Sequence, residues 1–303
     1  MAARRLDPAF SLLAASLVLL AACGRPATRD AITITDDWSR RVALASPARR
    51  IVSLSPATTE LAFALGLGAR LVGRTTWCDY PDSAREVADV GNGIGPNVEA
   101  VASRRPDLVL LYASEANRQA LGRLEALGIP TLALRVDLAA DLARAATLLA
   151  KAAGDAGAAR RLLGEFEREL AEARREPPDR ERLKVYVDVE PNPPITLGGG
   201  SYLTEIIAAA GARNVFDDLP LPSAVVSLEA IARRDPDVVL ALSYDANHPP
   251  QLSGRPGWRA LRAVREGRVV AVDASLFGRP SPRMPAAVRE LRRKLEALPG
   301  VGR

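Results

Sequence analysis

Of the side chains that could do chemistry, histidine is nearly missing: His248 stands alone among 303 residues, in the loop Asn247-His248-Pro249-Pro250. One imidazole cannot build a tetrahedral zinc site of the usual His and Cys kind, which argues against a histidine-rich metal receptor and leaves His248 as a solvated loop residue. An enzyme would need a nucleophile beside a base. No Gly-x-Ser-x-Gly elbow, phosphate-binding Walker loop or His-Glu-x-x-His helix occurs. Gly198-Gly199-Gly200-Ser201 precedes a helix. It either presents backbone N–H groups to an anion or serves as a flexible turn, and it lacks the lysine of a phosphate loop. Cys78 has no second soft ligand near it in the sequence and reads as a buried, inert thiol. The chain therefore reads as a binder rather than an enzyme, with no catalytic residue, metal or cofactor of its own.

What remains for recognition is a small aromatic set, 4% of the chain. Trp77, Tyr80, Tyr112, Tyr202 and Phe277 fall in or near loops at predicted strand ends. Aromatic rings there suit flat or apolar ligand surfaces without bond making. In the densest cluster, Trp77-Cys78-Asp79-Tyr80-Pro81, Trp77 is read as a ligand contact and Tyr80 as an anchor beside Pro81.

These loops need a scaffold. Arg50-Ile51-Val52-Ser53-Leu54 predicts a strand, broken by Pro56 and followed by a helix to Leu65 that Gly66 and Gly68 end. Lys184 to Val189, the glycine-rich loop and a helix from Leu203 to Ala210 repeat that design. A sharper repeat has a constant offset of 130: Asn97-Val98-Glu99-Ala100 with Pro106-Asp107-Leu108-Val109 matches Ser227-Leu228-Glu229-Ala230 with Pro236-Asp237-Val238-Val239. In each copy Asn or Ser caps a short helix, proline stops it, and a buried strand follows. Two diverged copies of one lobe explain the match. The expected fold is α/β: two similar lobes with parallel sheets flanked by helices. The Ala-, Leu-, Glu- and Arg-rich segment between them is helical, divided near Gly154 and Gly157, with Leu162, Phe166 and Leu170 on one face. It forms a long, stiff connector that implies small relative motion of the lobes.

The start of the chain sets the compartment. Arg4 and Arg5, an apolar run from Ala9 to Leu20, and Leu20-Ala21-Ala22-Cys23 form a secretion signal. Leu-Ala-Ala-Cys resembles the bacterial lipobox, in which Cys23 is acylated and anchors the domain to a membrane. The expected divisions are a signal peptide over 1–22, anchor and tether over 23–48, an N-terminal lobe over 49–138, a helical connector over 139–178 and a C-terminal lobe over 179–303. Residues 31–37 alternate enough for a strand or hairpin arm within the tether. Loss of the signal lowers the formal charge from +5 to +4, with no concentrated basic face for nucleic acid. Cys78 alone remains as a thiol, so packing must stabilise a monomer without an internal disulfide.

Arg50-Ile51-Val52-Ser53-Leu54-Ser55-Pro56-Ala57-Thr58-Thr59-Glu60-Leu61 resembles the opening of vitamin B12-binding proteins of ABC importers. Cys78-Asp79-Tyr80-Pro81, Pro106-Asp107-Leu108-Val109, Asn192-Pro193-Pro194 and Arg279-Pro280-Ser281-Pro282-Arg283 fit the same family, and the likeness spans residues 49–298. The wider group includes receptors for corrinoids, haem and iron–siderophores. The resemblance implies two α/β lobes on one rigid helix (class III among periplasmic binding proteins), lying outside the cytoplasm at the periplasmic face or outer cell surface. It implies a small-molecule ligand, a cobalamin-like corrinoid, and as partners a permease dimer with a cytoplasmic ATPase. An iron–siderophore or haem is the alternative ligand, and a cell-envelope enzyme the remote one. Carried over by position, Trp77, Tyr112, Pro194, Ile195, Phe277 and Arg279 contact ligand, while Glu99 and Glu229, related by the offset of 130, dock on permease arginines. The departures are aromatic: Gly93, Ser223 and Leu276 fall where tryptophans stand in a cobalamin receptor. An acidic siderophore would call for convergence of Arg74, Arg135 and Arg279.

Overall fold

Short, fully apolar strands demand cover on both faces, and the architecture is built on that demand. A computed structural model describes residues 31–174, 182–243 and 250–298. One compact unit begins at Ile32. It opens with an antiparallel hairpin, β1 (Ile32–Thr35) and β2 (Arg41–Leu44). Ile34, Val42 and Leu44 are buried in the main core, and the Asp36 carboxylate accepts from the amides of Trp38, Arg40 and Ala133. The stretch expected as tether is thus docked structure from Ile32 onward.

The N-terminal lobe comprises β3 (Ile51–Ser53), α1 (Pro56–Ala64), β4 (Leu71–Arg74), α2 (Val98–Ser103), β5 (Leu108–Tyr112), α3 (Arg118–Ala126) and β6 (Thr131–Leu134). Its sheet has the order β4-β3-β5-β6, all parallel. Proline in the first turn suits α1, because that position has no amide to lose. Two helices follow, α4 (Ala139–Ala152) and α5 (Ala156–Arg174), parted where Gly154 turns at φ +77°. The 19 residues of α5 span about 28 Å. They bury Ala158, Ala159, Phe166, Leu170 and Ala173 on one stripe, as the four-residue spacing predicts.

The C-terminal lobe comprises β7 (Lys184–Asp188), β8 (Glu190–Pro191), β9 (Pro194–Leu197), α6 (Tyr202–Ala209), β10 (Arg213–Asn214), β11 (Ser223–Val225), α7 (Leu228–Arg234), β12 (Val238–Ser243), α8 (Arg262–Arg265), β13 (Val269–Asp273), α9 (Ala274–Phe277) and α10 (Met284–Glu296). Its parallel sheet runs β10-β7-β12-β13, the same order of equivalent strands as in the first lobe. A small antiparallel sheet, β11-β9-β8, is added beside it. The main core is continuous across both lobes, from Leu61 and Leu149 through Phe166 to Ile206 and Leu291. The fold is therefore the expected two-lobed α/β arrangement with a long connecting helix.

The repeat at offset 130 extends to atoms. Asn97 accepts from Ala100 N at 3.0 Å, and Ser227 from Ala230 N at 3.1 Å. Arg105 and Asp235 both turn through positive φ, +47° and +42°. The Asp107 carboxylate accepts from the amides of Arg49 and Arg50, and Asp237 from Lys184 N at 2.9 Å. Each aspartate thus holds the entry of the first strand of its sheet. Asp107→Ala and Asp237→Ala should each lower stability by about 1–2 kcal/mol, since the first leaves the amides of Arg49 and Arg50 without their acceptor and the second the amide of Lys184 together with the Arg262 guanidinium. Urea unfolding of the two variants should give similar losses.

Candidate ligand-binding cleft

Ligands of open α/β sheets settle beyond the C-terminal strand ends, and the cleft lies there. A cavity of about 550 Å³ is lined by Leu54 and Ser55 between β3 and α1, by Pro56 and Ala57 at the start of α1, by Thr75 and Trp77 after β4, and by Asn92, Gly93 and Ile94. Tyr112 ends β5 on it, and Val136 and Asp137 follow β6. The second lobe closes it with Gly278, Arg279 and Pro280. A smaller cavity of about 170 Å³ shares Val136, Asp137, Gly278 and Pro280 and reaches Ser201, Tyr202, Pro222 and Ser223.

The floor is polar and internally bonded. The Tyr112 hydroxyl donates to Asp137 Oδ1 at 2.7 Å. Burial, and then the Asp137 carboxylate, push this phenol well above its ordinary value. Asn117, fully buried, donates to the carbonyls of Gly93 and Tyr112, each at 3.0 Å, and accepts from Gly95 N at 2.9 Å. It thereby fixes the loop that carries Ile94. A lone asparagine between two elements carries no sequence signal, and Asn117 was not legible. Gly93 is held so close to β3 that a Cβ would lie 2.1 Å from Leu54 O. A side chain at 93, tryptophan above all, does not fit this backbone.

The lobes are joined beside the cavity by buried charge. The Glu60 carboxylate, on α1, is only 3% exposed. Arg283 Nε and Nη2 donate to its two oxygens at 2.8 and 2.6 Å, and Arg279 Nε lies 3.2 Å from Oε1. Burial pushes this carboxyl up, opposed chiefly by Arg283. Arg279 also donates to Trp77 O at 2.9 Å and pairs with Asp79. The Arg283 guanidinium stacks 3.7 Å from the Tyr80 ring centre. Tyr80 is thus anchored, although across the lobes rather than within its own.

The sequence candidates divide. Trp77, Tyr112 and Arg279 line one cavity. Pro194 and Ile195 lie on β9, half-buried, and are outside the lining of either cavity. Phe277 backs the smaller cavity but is 0% exposed and belongs to the main core: the short helix α9 turns its ring inward. Arg74, Arg135 and Arg279 do not converge on the cavity, because only Arg279 lines it. Arg74 instead binds the carbonyls of Thr75 and Ala84 and pairs with Asp89 at 3.3 Å. Glu99 and Glu229 are exposed at the starts of α2 and α7, paired with Arg123 and Arg233 of their own lobes. The glycine-rich loop is a packed turn: Gly198 N and Gly199 N bond the carbonyls of Pro222 and Leu219, and added Cβ atoms would meet backbone oxygens at 2.3 Å. Those amides are committed and face no anion. Cys78 is buried against Thr59 and Thr75, both at 3.1 Å, and burial pushes its thiol up. Among the described residues no group of three or more His, Cys, Asp or Glu could hold a metal ion. Cys23 and His248 lie outside the described residues.

The sequence profile described as "Periplasmic binding protein" matches residues 51–276. The chain belongs to the periplasmic binding protein family. Its work is binding without catalysis, outside the cytoplasm, as the substrate-binding component of an ABC importer. An uncharacterized ABC transporter substrate-binding lipoprotein of Bacillus subtilis is 31% identical over 92% of this chain and 93% of its own. The periplasmic vitamin B12 binding protein of Vibrio cholerae superposes with a TM-score of 0.70 at 27% identity, over 82% of this chain and 97% of that one. A periplasmic haem-binding protein, solved with two haems, gives 0.72 at 29% identity, over 82% and 98%.

In this periplasmic binding protein the approach of Gly93 to β3 is a test of cleft packing. Gly93→Ala should cost about 1–3 kcal/mol of stability by overpacking, read by thermal melting. A variant as stable as the wild type would show that the loop can lift from Leu54.

Proposed function

We propose that the cleft captures a corrinoid and that the protein, tethered through an acylated Cys23, delivers it to a permease dimer driven by a cytoplasmic ATPase. The observation that carries this reading is the state of the charge in the cavity. Arg279 is the cation in the lining, and it is committed to Glu60, Asp79 and the Trp77 carbonyl. Among the described lining residues an acidic ligand would meet Asp137 and no uncommitted counter-charge, and carboxylates are bound best by available guanidinium forks. A ligand with amide edges and a broad apolar face meets Trp77, 54% exposed, and Ile94, 56% exposed, with the Tyr112–Asp137 pair beneath. On the opposite lobe Leu197, Leu203 and Pro222 supply apolar lining to the smaller cavity beside Tyr202. Likeness to vitamin B12-binding proteins adds support.

Haem is the second reading, favoured by likeness to the haem-binding structure. It would need an iron ligand and a partner for propionates. The Tyr112 phenol, held protonated by burial and Asp137, suits the first role poorly.

Calorimetric titration with cyanocobalamin should give one-to-one binding tighter than micromolar, beyond about −8 kcal/mol. Trp77→Ala should weaken it about tenfold or more while leaving the melting temperature near wild type. Absence of heat with cyanocobalamin, together with binding of haemin, would move the ligand to the second reading.

Docking falls to Glu99 and Glu229. Both are exposed, capped into the first turn of equivalent helices and related by the internal repeat. Matched acids on twin lobes suit a two-fold permease and set orientation and encounter rate. Charge reversal at both, Glu99→Lys with Glu229→Lys, should leave ligand affinity unchanged within about twofold and slow association with the permease at least about tenfold. Surface-captured permease in nanodiscs would measure both. Loss of ligand affinity with docking intact would remove the two glutamates from this role.

A further inference from the structure

The loop from Trp77 to Tyr80 is gripped from two sides. From its own lobe, Cys78 is drawn inward: its thiol meets Thr59 and Thr75, and its amide donates to Thr75 O at 3.0 Å. From the other lobe come Arg279 and Arg283. Arg279 Nη1 donates to the Trp77 carbonyl, Nη2 pairs with Asp79, and Nε donates to Ser275 O at 2.8 Å. The Ser275 hydroxyl, itself on α9, also donates to Asp79 Oδ1 at 3.1 Å. Arg283 covers the Tyr80 ring. Three successive features of the loop (the carbonyl of 77, the carboxylate of 79, the ring of 80) are thus held by side chains some 200 residues distant. The indole of Trp77, borne by this loop, is 54% exposed and lines the cavity.

We infer that Arg279 is a positioning residue for Trp77: it reaches across the cleft to hold the backbone of Trp77 and thereby presets the indole for ligand, with Glu60 as the buried anion that fixes Arg279 in turn. Part of this rests on the proposed reading of Trp77 as a ligand contact. The physical argument is preorganisation. Ordering a loop and a large side chain during binding subtracts from affinity, and a contact ordered beforehand avoids that loss. A tryptophan has two side-chain torsions, so a fixed backbone leaves few positions for its ring. The guanidinium suits the task because its planar fork can serve a carbonyl and two carboxylates at once, whereas a lysine offers one point.

A double-substitution cycle with cyanocobalamin as probe tests this. Arg279→Ala should weaken binding about tenfold in the wild-type background and less than about twofold in a Trp77→Ala background, because the two residues act as one unit. Arg279→Lys, which keeps the charge, should behave as Arg279→Ala. Equal losses in both backgrounds would mean that Arg279 serves the ligand independently of Trp77, and would overturn the inference. Unchanged affinity would overturn it as well. A second arm uses no ligand: the time-resolved fluorescence anisotropy of Trp77, taken as the difference between each protein and its Trp77→Phe counterpart. Arg279→Ala should add nanosecond depolarisation to the indole, and an unaltered decay would overturn the inference. This arm also separates the two readings. If the wild type binds no corrinoid, the ligand assignment falls while the anisotropy still decides the positioning. Circular dichroism melting checks the fold, and should Arg279→Ala fail to fold, Arg279→Lys and Asp79→Asn carry the same comparisons.

Discussion

A buried carboxylate sets the terms for the rest of the molecule. Removing a charge from water is expensive by several kcal/mol unless it is paired and hydrogen-bonded, and Glu60 finds its two cationic partners only on the opposite lobe. The helix that carries Glu60 starts the cleft wall of one lobe, and the strap Arg279-Pro280-Ser281-Pro282-Arg283 closes the cleft from the other. The pairing therefore couples three things: the docking of the lobes, the width of the cavity and the path of the loop bearing Trp77. The long helix α5 and the continuous core supply stiffness between the lobes. The ion pairs supply register, since apolar surfaces slide more readily than a bidentate guanidinium–carboxylate contact.

The repeat explains why the scaffold is symmetric and the site is not. Equivalent strands share one order, equivalent aspartates hold strand entries, and equivalent residues turn through positive φ. Departures gather at the cleft. Gly93 and Ser223 stand at equivalent positions of the two copies, yet Gly93 lies beneath a backbone carbonyl and Ser223 opens the added antiparallel sheet. One scaffold thus lines the main cavity with Trp77 and Tyr112 from one copy and with Gly278, Arg279 and Pro280 from the other.

Most of the fold was legible because its signals are local. Cap, short helix, proline and aspartate fall within a dozen residues, and the offset of 130 needs only the chain itself to be seen. The connector showed in its composition and in the spacing of Leu162, Phe166 and Leu170. The candidate site was legible where a residue ends a strand, as Tyr112 does, or follows one, as Trp77 does. It was not legible where position depends on distant partners. Glu60 and Arg283 are 223 positions apart, and nothing near either announces the other. Resemblance places Arg279 at the cleft, but its commitment to Glu60 and Asp79 arises only when folding brings segments some 200 residues apart together. Phe277 lies at a strand end like the others, yet one extra helical turn buries it. The glycine-rich run shows the same limit: its pattern allowed an anion cradle or a turn, and only the carbonyls of Pro222 and Leu219 decide between them.

Burial of the Glu60 network has a consequence for ionic strength. Mobile ions screen charges across water over about 10 Å at 0.1 M salt, and reach buried pairs far less. The exposed pairs Glu99–Arg123 and Glu229–Arg233 stand in that ionic atmosphere, while Glu60 does not. The pairing of Glu60 that holds the lobes in register is accordingly screened far less by salt than the pairs on the outer face of the protein.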